Sequence, residues 1–211
     1  MNFYDIHSGE TALLVGNGPN LYKTPPEWFD YPSFGLNTIH KYAGWRPTYY
    51  VAVDYCIYEG FGAEIGAACP DLPKFVPTPT ADKWQGENFY RFPKKTGEMR
   101  IPERQNTLSR GFVYYNVMHA AMTLAWYMGF TTLLMIGVEQ KQERGSLREH
   151  FWGTDYSTPK GQTDEHWNIG YKVLSSALHI KILNISQDTY VPEDVLARDD
   201  WKDYANAKEA V

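Results

Sequence analysis

The chain has 211 residues, a formal net charge of −5 and 43% hydrophobic residues. This length suits one α/β domain with a sizeable core, and no apolar run approaches the roughly 18 residues that a membrane span requires. The acidic balance argues against a protein that coats nucleic acid non-specifically. Residues 1–15 carry Asp5 and Glu10 and lack a basic start, so we expect no signal peptide and a cytoplasmic location.

Aromatic residues make up 16% of the chain, and many lie in polar surroundings, as Phe151 and Trp152 do. Such segments often line pockets that stack sugars or bases. The alternative is core packing together with the interface of a homo-oligomer. The two cysteines, Cys56 and Cys69, fit neither a zinc site nor a disulfide framework, so we expect two reduced thiols.

Short apolar runs alternate along the chain with segments whose apolar residues have helical spacing. Strands are predicted over residues 13–15, 34–37, 49–53, 74–76, 132–136 and 179–185, with an edge strand over 89–92. Helices are predicted over 59–72, over 110–128 with Ser109 as the cap, from Thr163 or Asp164 to 178, and on the surface after Pro192. The polar segments 78–106 and 139–163 are typical of lids, binding loops or oligomer contacts. The alternation predicts a single α/β domain over residues 1–211, with a doubly wound, mainly parallel sheet.

The stretch LLVGNGPNL, residues 13–21, predicts a strand that meets a helix at a glycine turn. Glycine at positions 16 and 18 permits the positive φ angles that such a turn needs, and Pro19 sets φ for the first turn of a helix. Free backbone N–H groups and the helix dipole at this point favour an anion, most often a phosphate. The third glycine of the dinucleotide fingerprint is missing, so an ordinary turn that holds nothing is the alternative.

Polar residues stand where the predicted strands end. In a parallel sheet, ligands bind outside the carboxyl ends of the strands. Amide side chains there suit a base and a ribose, and backbone N–H groups suit a phosphate, so together these residues predict a nucleotide site. The alternative is that strand ends are polar because they meet water. The residues are Asn17, Asn37, Asp54, Ser109 with Gly111, and Glu139.

The carboxylates of Asp54 and Glu139 raise the question of a metal. Mg²⁺ sites often use one or two carboxylates together with substrate phosphates, so this pair could bind Mg²⁺ through a phosphate oxygen. The Asp-x-Asp pair of the common metal-dependent transferases is missing from the sequence. The alternative is that Asp54 accepts a hydrogen bond from a ribose hydroxyl.

His150 is the best candidate for a general base. It lies in a polar loop beside Glu149 and two aromatic residues, and the pKa of histidine suits proton transfer near neutral pH. The alternative is a surface histidine without a role. His166 and Asp155 are the next candidates for the base.

Five blocks occur in the order VGNGPNL, FGLN, RPTYYVAVDY, Ser-Arg-Gly at a helix entry, and LLMIGVE. In this order they resemble the motifs of a Rossmann-like group with two branches. One branch is the bacterial CMP-sialic-acid sialyltransferases, which build lipooligosaccharide, and the other is the 6-hydroxymethylpterin diphosphokinase-like proteins. The resemblance runs from Leu13 to about Ser186 and implies a Rossmann-like fold that binds a nucleotide or nucleotide sugar.

The resemblance also implies roles for single residues. Asn17 and Gly18 match residues that contact nucleotide phosphate or ribose in the sialyltransferases, and Asn37 matches their second nucleotide-binding asparagine. Asp54 separates the two branches, because it stands where the sialyltransferases, which work without a metal, have asparagine. The predicted nucleotide-binding set, with the Ser-Arg-Gly helix entry and a phosphate-binding tyrosine included, is Gly16, Asn17, Gly18, Pro19, Asn20, Asn37, Asp54, Ser109, Arg110, Gly111, Glu139 and Tyr156.

Three functions follow as hypotheses. The first is a glycosyltransferase that moves a sugar from a nucleotide-sugar donor to a hydroxyl acceptor, with His150 and Asp54 as the catalytic residues. The second is an ATP-dependent diphosphokinase of the hydroxymethylpterin type, in which Asp54 binds Mg²⁺. The third is a catalytically silent nucleotide-binding module. The acceptor is a small molecule, a glycan or a DNA base, the last because short chains of this form look like those found in phage genomes.

Overall fold

Nine β-strands and three α-helices occur among the residues that this computed structural model describes. These residues are 2–78, 84, 86–92, 115–140, 147–157 and 164–206, with 147–149, 154–157 and 164 described by their backbone. The strands are β1 Thr11–Val15, β2 Ser33–Leu36, β3 Tyr49–Val51, β4 Lys74–Pro77, β5 Phe89–Phe92, β6 Thr132–Ile136, β7 Leu147–His150, β8 Gly153–Ser157 and β9 Lys181–Asn184. The helices are α1 Tyr55–Ala68, α2 Val117–Tyr127 and α3 Asp164–Ala177.

Seven of the strands form one sheet in the order β5-β4-β3-β2-β1-β6-β9, and all of its pairs are parallel. Strands β7 and β8 form a separate antiparallel hairpin. The chain adds β2 to β5 on one side of β1 and then crosses to β6 and β9 on the other side. The crevice between the ends of β1 and β6 is therefore the topological switch point, where doubly wound sheets bind their ligands.

The sheet is buried on both faces, because successive side chains of a strand point to opposite sides. In β1, Ala12 and Leu14 pack in the core that contains α2 and α3, whereas Leu13 and Val15 pack in the core that contains α1. The predicted doubly wound, parallel α/β fold is thus confirmed. Burial on both faces also explains why its strands are continuous apolar runs in the sequence.

The predicted strands are confirmed to within a few residues, whereas two of the predicted helices begin at the wrong place. Helix α1 begins at Tyr55 and not at residue 59. Helix α2 begins at Val117, where the Asn116 side chain accepts a hydrogen bond from the backbone N–H of His119 at 3.0 Å. Asn116 is thus the N-cap, and the helix begins after it. The prediction that the helix already covers residues 115 and 116 is therefore wrong. The predicted cap, Ser109, lies outside the described residues.

Two further predictions are corrected by packing and pairing. The prediction of a surface helix after Pro192 is wrong. The described tail instead packs back onto the domain, where Trp201 stacks on Trp28 with ring centroids 4.6 Å apart. Among the described residues after Pro192, the helical structure consists of a three-residue 3₁₀ helix, Trp201–Asp203. In the second polar segment, where no strand was predicted, the chain forms the β7–β8 hairpin, since antiparallel pairing satisfies the backbone of a polar stretch.

Both cysteines are free, with Cys56 exposed and Cys69 buried, as expected for two thiols without a disulfide. No helix in the described part of the chain has the length and apolar character needed to cross a lipid bilayer.

Candidate nucleotide-binding site

The turn after β1 lies directly against the chain that leaves β6. Gly16 N–H donates to the carbonyl oxygen of Ile136 at 2.9 Å, and Gly18 N–H donates to that of Gly137 at 3.0 Å. These hydrogen bonds continue the pairing of β1 with β6 beyond the ends of the strands. They also occupy two of the backbone donors that were expected to bind a phosphate.

The two glycines are required by close approach and not by their φ angles. Neither Gly16 nor Gly18 has a positive φ, so that prediction is wrong, and the positive value of +66° belongs to Gly137 on the facing chain. A Cβ at Gly16 would overlap the Gly137 carbonyl oxygen, and one at Gly18 would overlap the carboxylate of Glu139. The expected α-helix after the turn is a three-residue 3₁₀ helix, Leu21–Lys23, which is too short to provide the expected helix dipole.

Gly16→Ala should lower the free energy of unfolding by about 1–3 kcal/mol, because the added methyl group meets backbone that cannot rotate away. The matched control is Gly60→Ala in α1, where a Cβ would meet no atom within 4 Å. That change should stabilise the protein by about 0.4–1 kcal/mol, since alanine favours helix and restricts the unfolded chain. Urea unfolding measures both effects. Wild-type stability of Gly16→Ala would mean that the two turns can separate without cost.

Asn17 and Asn37 follow β1 and β2 and have oriented side chains. Asn17 Nδ2 donates to the carbonyl oxygen of Leu36 at 2.9 Å, and Asn37 Nδ2 donates to Asp54 Oδ2 at 2.8 Å. These partners determine which atom of each amide is the oxygen. The Oδ1 atoms of both residues are buried and have no hydrogen-bond partner among the described residues.

Glu139 supplies a third buried oxygen at the same edge. The residue is 1% exposed, and its Oε2 lacks a hydrogen-bond partner within the part of the chain that the structure describes. Burial raises the pKa of this carboxyl to about 7, although backbone hydrogen bonds from Glu139 and Asn20 oppose the rise. Near neutral pH the group can therefore either donate a hydrogen bond to a ligand or accept one.

These residues form a row along the carboxyl edge of the sheet. From β3 to β6 the row contains Asp54, Asn37, Asn17, Gly18 and Glu139. Buried polar atoms in proteins nearly always have hydrogen-bond partners, so several unpartnered oxygens in one row indicate a place for ligand donors. Ribose hydroxyls and the exocyclic amine of a base are donors, whereas an ionised phosphate is an acceptor. The row is therefore suited to the nucleoside part of a nucleotide.

The β7–β8 hairpin brings His150 to this row. The backbone carbonyl of Asn17 lies 3.2 Å from the backbone N–H of Phe151 and 3.3 Å from Nδ1 of His150. Because a carbonyl can only accept, Nδ1 carries a proton, and Nε2 is the basic nitrogen of the neutral ring. The candidate base and the turn after β1, which are 133 residues apart in the sequence, are thus in direct contact.

Three residues that hold the tip of the hairpin were not predicted. Trp152 stacks on the ring of His150 with centroids 5.1 Å apart, and its Nε1 donates to Thr38 Oγ1 at 3.0 Å. Lys41 Nζ lies 3.8 Å from the centroid of the Trp152 ring. The aromatic residues beside His150 were a signal in the sequence. No local pattern relates Trp152 to Thr38, which lies 114 residues earlier.

Asp54 and Glu139 stand at opposite ends of the row. The sheet order places β3 and β6 three strand positions apart, which is about 14 Å. Since Mg²⁺ lies about 2.1 Å from its ligands, one ion bound directly by both carboxylates does not fit this spacing. Among the described residues, no group of three or more His, Cys, Asp or Glu side chains could hold a metal ion. Asp54 alone as a Mg²⁺ ligand stays a prediction.

The remaining predicted site residues are not among the residues that define the row. Pro19 and Asn20 lie in the turn between Gly18 and the 3₁₀ helix. Ser109, Arg110 and Gly111 lie outside the described residues. Asp155 and Tyr156 lie in strand β8, which is described here by its backbone. His166 is exposed near the start of α3, with its ring centroid 6.2 Å from that of Tyr115.

The fold is similar to that of a sialyltransferase, CstII from Campylobacter jejuni, whose structure was solved in complex with a substrate analogue, cytidine-5′-monophosphate. The TM-score is 0.50 at 10% sequence identity, over 95% of this chain and 88% of that chain. No protein-family model and no curated protein matches the sequence. The likeness supports a sialyltransferase-like fold, and gives no support to a grouping with the pterin diphosphokinase-like proteins.

Proposed function

We propose that this chain binds a nucleotide sugar and transfers the sugar to a hydroxyl acceptor. The observation that carries the proposal is the contact between His150 and the carbonyl of Asn17, which sets an imidazole beside the row of buried oxygens. An acceptor hydroxyl is a weak nucleophile until its proton is removed, and the imidazole is suited to that task. The likeness in fold to a sialyltransferase whose structure was solved with CMP supports the same function.

In this proposal the nucleoside of the donor lies along the row. Its hydroxyls and base amine donate to Asn17 Oδ1, Asn37 Oδ1 and Glu139 Oε2, three atoms that lack hydrogen-bond partners among the described residues. Asp54, oriented by Asn37, accepts from a ribose hydroxyl. The Gly16–Gly18 turn shapes the crevice. The donor phosphate is assigned to the segment Ser109–Gly111 and to Tyr156, as the family resemblance implies.

The chemical step then needs one proton transfer. The acceptor hydroxyl gives its proton to Nε2 of His150 while its oxygen forms a bond to the anomeric carbon of the sugar. The bond between that carbon and the phosphate oxygen breaks, and its electron pair leaves with the nucleotide. The contact of His150 with the Asn17 carbonyl supports this role, since donor binding and proton removal would then occur at one edge of the sheet.

A thermal-shift screen with CMP, UDP and ATP, each with EDTA or with Mg²⁺, tests the proposal. A ligand that binds the native state raises the melting temperature by mass action, and we expect CMP or UDP to do so in both buffers. Release of CMP from CMP-sialic acid in the presence of candidate acceptors then tests transfer. If ATP were the only nucleotide to raise the melting temperature, and did so with Mg²⁺ but not with EDTA, the result would instead favour the diphosphokinase with Asp54 as the metal ligand. No response to any nucleotide would contradict the proposal.

The chain offers a matched pair of variants for this screen. Asn37 and Asn88 both have a positive φ, +47° and +60°, which glycine adopts without strain. Asn37→Gly removes an oxygen of the row, so the shift produced by the nucleotide should shrink. Asn88→Gly removes an asparagine whose Nδ2 bonds to the carbonyl of Pro70, away from the row, and should keep the full shift.

A further inference from the structure

A chain of hydrogen bonds runs from the surface of α1 to Asn37, and the proposed function uses only its last members. Oε2 of Glu64 lies 3.3 Å from Nε2 of His40, and Nδ1 of His40 lies 3.1 Å from the hydroxyl oxygen of Tyr50. The Tyr50 hydroxyl donates to the backbone carbonyl of Asn37. The Asn37 side chain then donates to Asp54 at 2.8 Å.

The direction of these hydrogen bonds follows from the available protons. The carbonyl of Asn37 can only accept, so it takes the one proton of the Tyr50 hydroxyl. The Tyr50 oxygen must then accept from His40, whose Nδ1 therefore carries a proton. Tyr50 is 1% exposed and the His40 side chain is 5% exposed, so water has little access to replace these bonds.

Asn37 is the residue that needs such support. Its φ of +47° lies in the left-handed region, which costs a residue with a side chain free energy relative to the common right-handed form. Hydrogen bonds to its backbone hold it there: its N–H donates to the carbonyl of Val51 at 2.9 Å, and its carbonyl accepts from the hydroxyl of Tyr50. With the backbone held in this way, Nδ2 reaches Asp54 and Oδ1 lies buried in the row.

We propose that Tyr50, supported by His40, is a positioning residue that holds the Asn37 turn in its nucleotide-binding conformation. This inference rests on the proposed nucleotide-binding function. Tyr50 packs in the core on the α1 face of the sheet and acts through Asn37. Without the Tyr50 hydroxyl the turn populates other conformations, and the apparent affinity for a nucleotide falls in proportion to the fraction of molecules that stay competent to bind.

Isothermal titration with CMP measures the effect. Tyr50→Phe should weaken CMP binding by roughly 2- to 12-fold, the equivalent of one intramolecular hydrogen bond. The matched control is Tyr49→Phe. The Tyr49 hydroxyl bonds to Nε2 of His7 at 2.6 Å, and Tyr49 packs in the core on the opposite face of the sheet from Tyr50. This variant therefore also loses one part-buried hydrogen bond but should keep wild-type affinity.

A double-mutant cycle distinguishes positioning from a general loss of structure. In an Asn37→Gly background the row has lost its Asn37 oxygen, and glycine adopts the left-handed conformation without help. Tyr50→Phe should therefore cause no further loss of CMP affinity in that background. An equal loss in both backgrounds would overturn the inference, because Tyr50 would then act by a route that does not pass through Asn37.

Amide hydrogen exchange in the ligand-free protein decides the matter even if CMP does not bind. Tyr50→Phe should speed exchange at residues 37–40 and leave β2 and β3 at wild-type rates, whereas Tyr49→Phe should leave residues 37–40 unchanged. Unchanged exchange at these residues, or a uniform increase over both strands, would overturn the inference. Failure of the wild-type protein to bind CMP or any other nucleotide would instead overturn the proposed function, so the two failures are distinguishable.

Discussion

Replacement of His150 by alanine should lower the rate of sugar transfer by about 10²–10⁴-fold, the usual contribution of a positioned general base. The affinity for the donor nucleotide should barely change, because the imidazole acts on the acceptor hydroxyl and its loss is felt in the transition state. The acidic limb of the pH–rate profile should also disappear, since the group that must be unprotonated is gone. Steady-state kinetics give the rate, and titration with CMP gives the affinity.

The comparison variants are His166→Ala and Asp155→Asn. His166 is exposed near the start of α3, with its ring centroid 6.2 Å from that of Tyr115, so its replacement should leave transfer close to the wild-type rate. A fall of less than about fivefold in His150→Ala is far below the cost of losing a general base. That result, with a larger fall in either comparison variant, would move the base to the other residue.

Glu139→Gln should stabilise the protein relative to the wild type as the pH rises. Burial raises the pKa of the Glu139 carboxyl from 4.5 to about 7, so the native state holds this proton more tightly than the unfolded chain does. The stability due to the proton is complete below the unfolded pKa and is lost as the pH rises through the folded pKa. Glutamine does not titrate. The difference in free energy of unfolding should therefore grow by about 3 kcal/mol from about pH 4 to about pH 8, at ~1.36 kcal/mol per pKa unit.

Urea unfolding of both proteins at several pH values measures this difference. Burial also lowers the pKa of His119 to about 3, so acid destabilises the native state through His119. That effect is common to variant and wild type and cancels in the difference. Glu193→Gln, at an exposed glutamate, controls for the removal of one carboxylate in general. A difference that does not change with pH would show that Glu139 is not desolvated as the structure indicates.

The strands and the row at their ends could be predicted from the sequence, for a reason that lies in the sheet. A parallel strand buried on both faces must be a short apolar run, such as LLMI at 133–136. The carboxyl ends of parallel strands meet at one edge, so the polar residues that follow them come together. Asn17, Asn37 and Asp54 were predicted on this ground, and hydrogen bonds through Leu36 and Asp54 join them in the structure.

Local propensity was a weaker guide where tertiary contacts compete with it. Asn116, and not a residue before 110, caps α2, and the tail after Pro192 packs through Trp201 onto Trp28. The helical spacing of the apolar residues in 110–128 was compatible with a longer helix, and the charged tail was compatible with a helix on the surface. A cap or a stacked ring is worth about as much as several residues of helix propensity, so it decides where the helix ends.

The order of residues along the chain determined the sheet, its polar edge and the presence of a histidine in a polar, aromatic loop. The tertiary structure alone decided why Gly16 is glycine, how His150 reaches Asn17, and what holds Asn37 in its left-handed turn. The physical reason is the same in each case. Secondary structure follows from a period of a few residues, whereas these contacts join residues whose separation in the sequence has no period, and only the packed sheet brings them within hydrogen-bond distance.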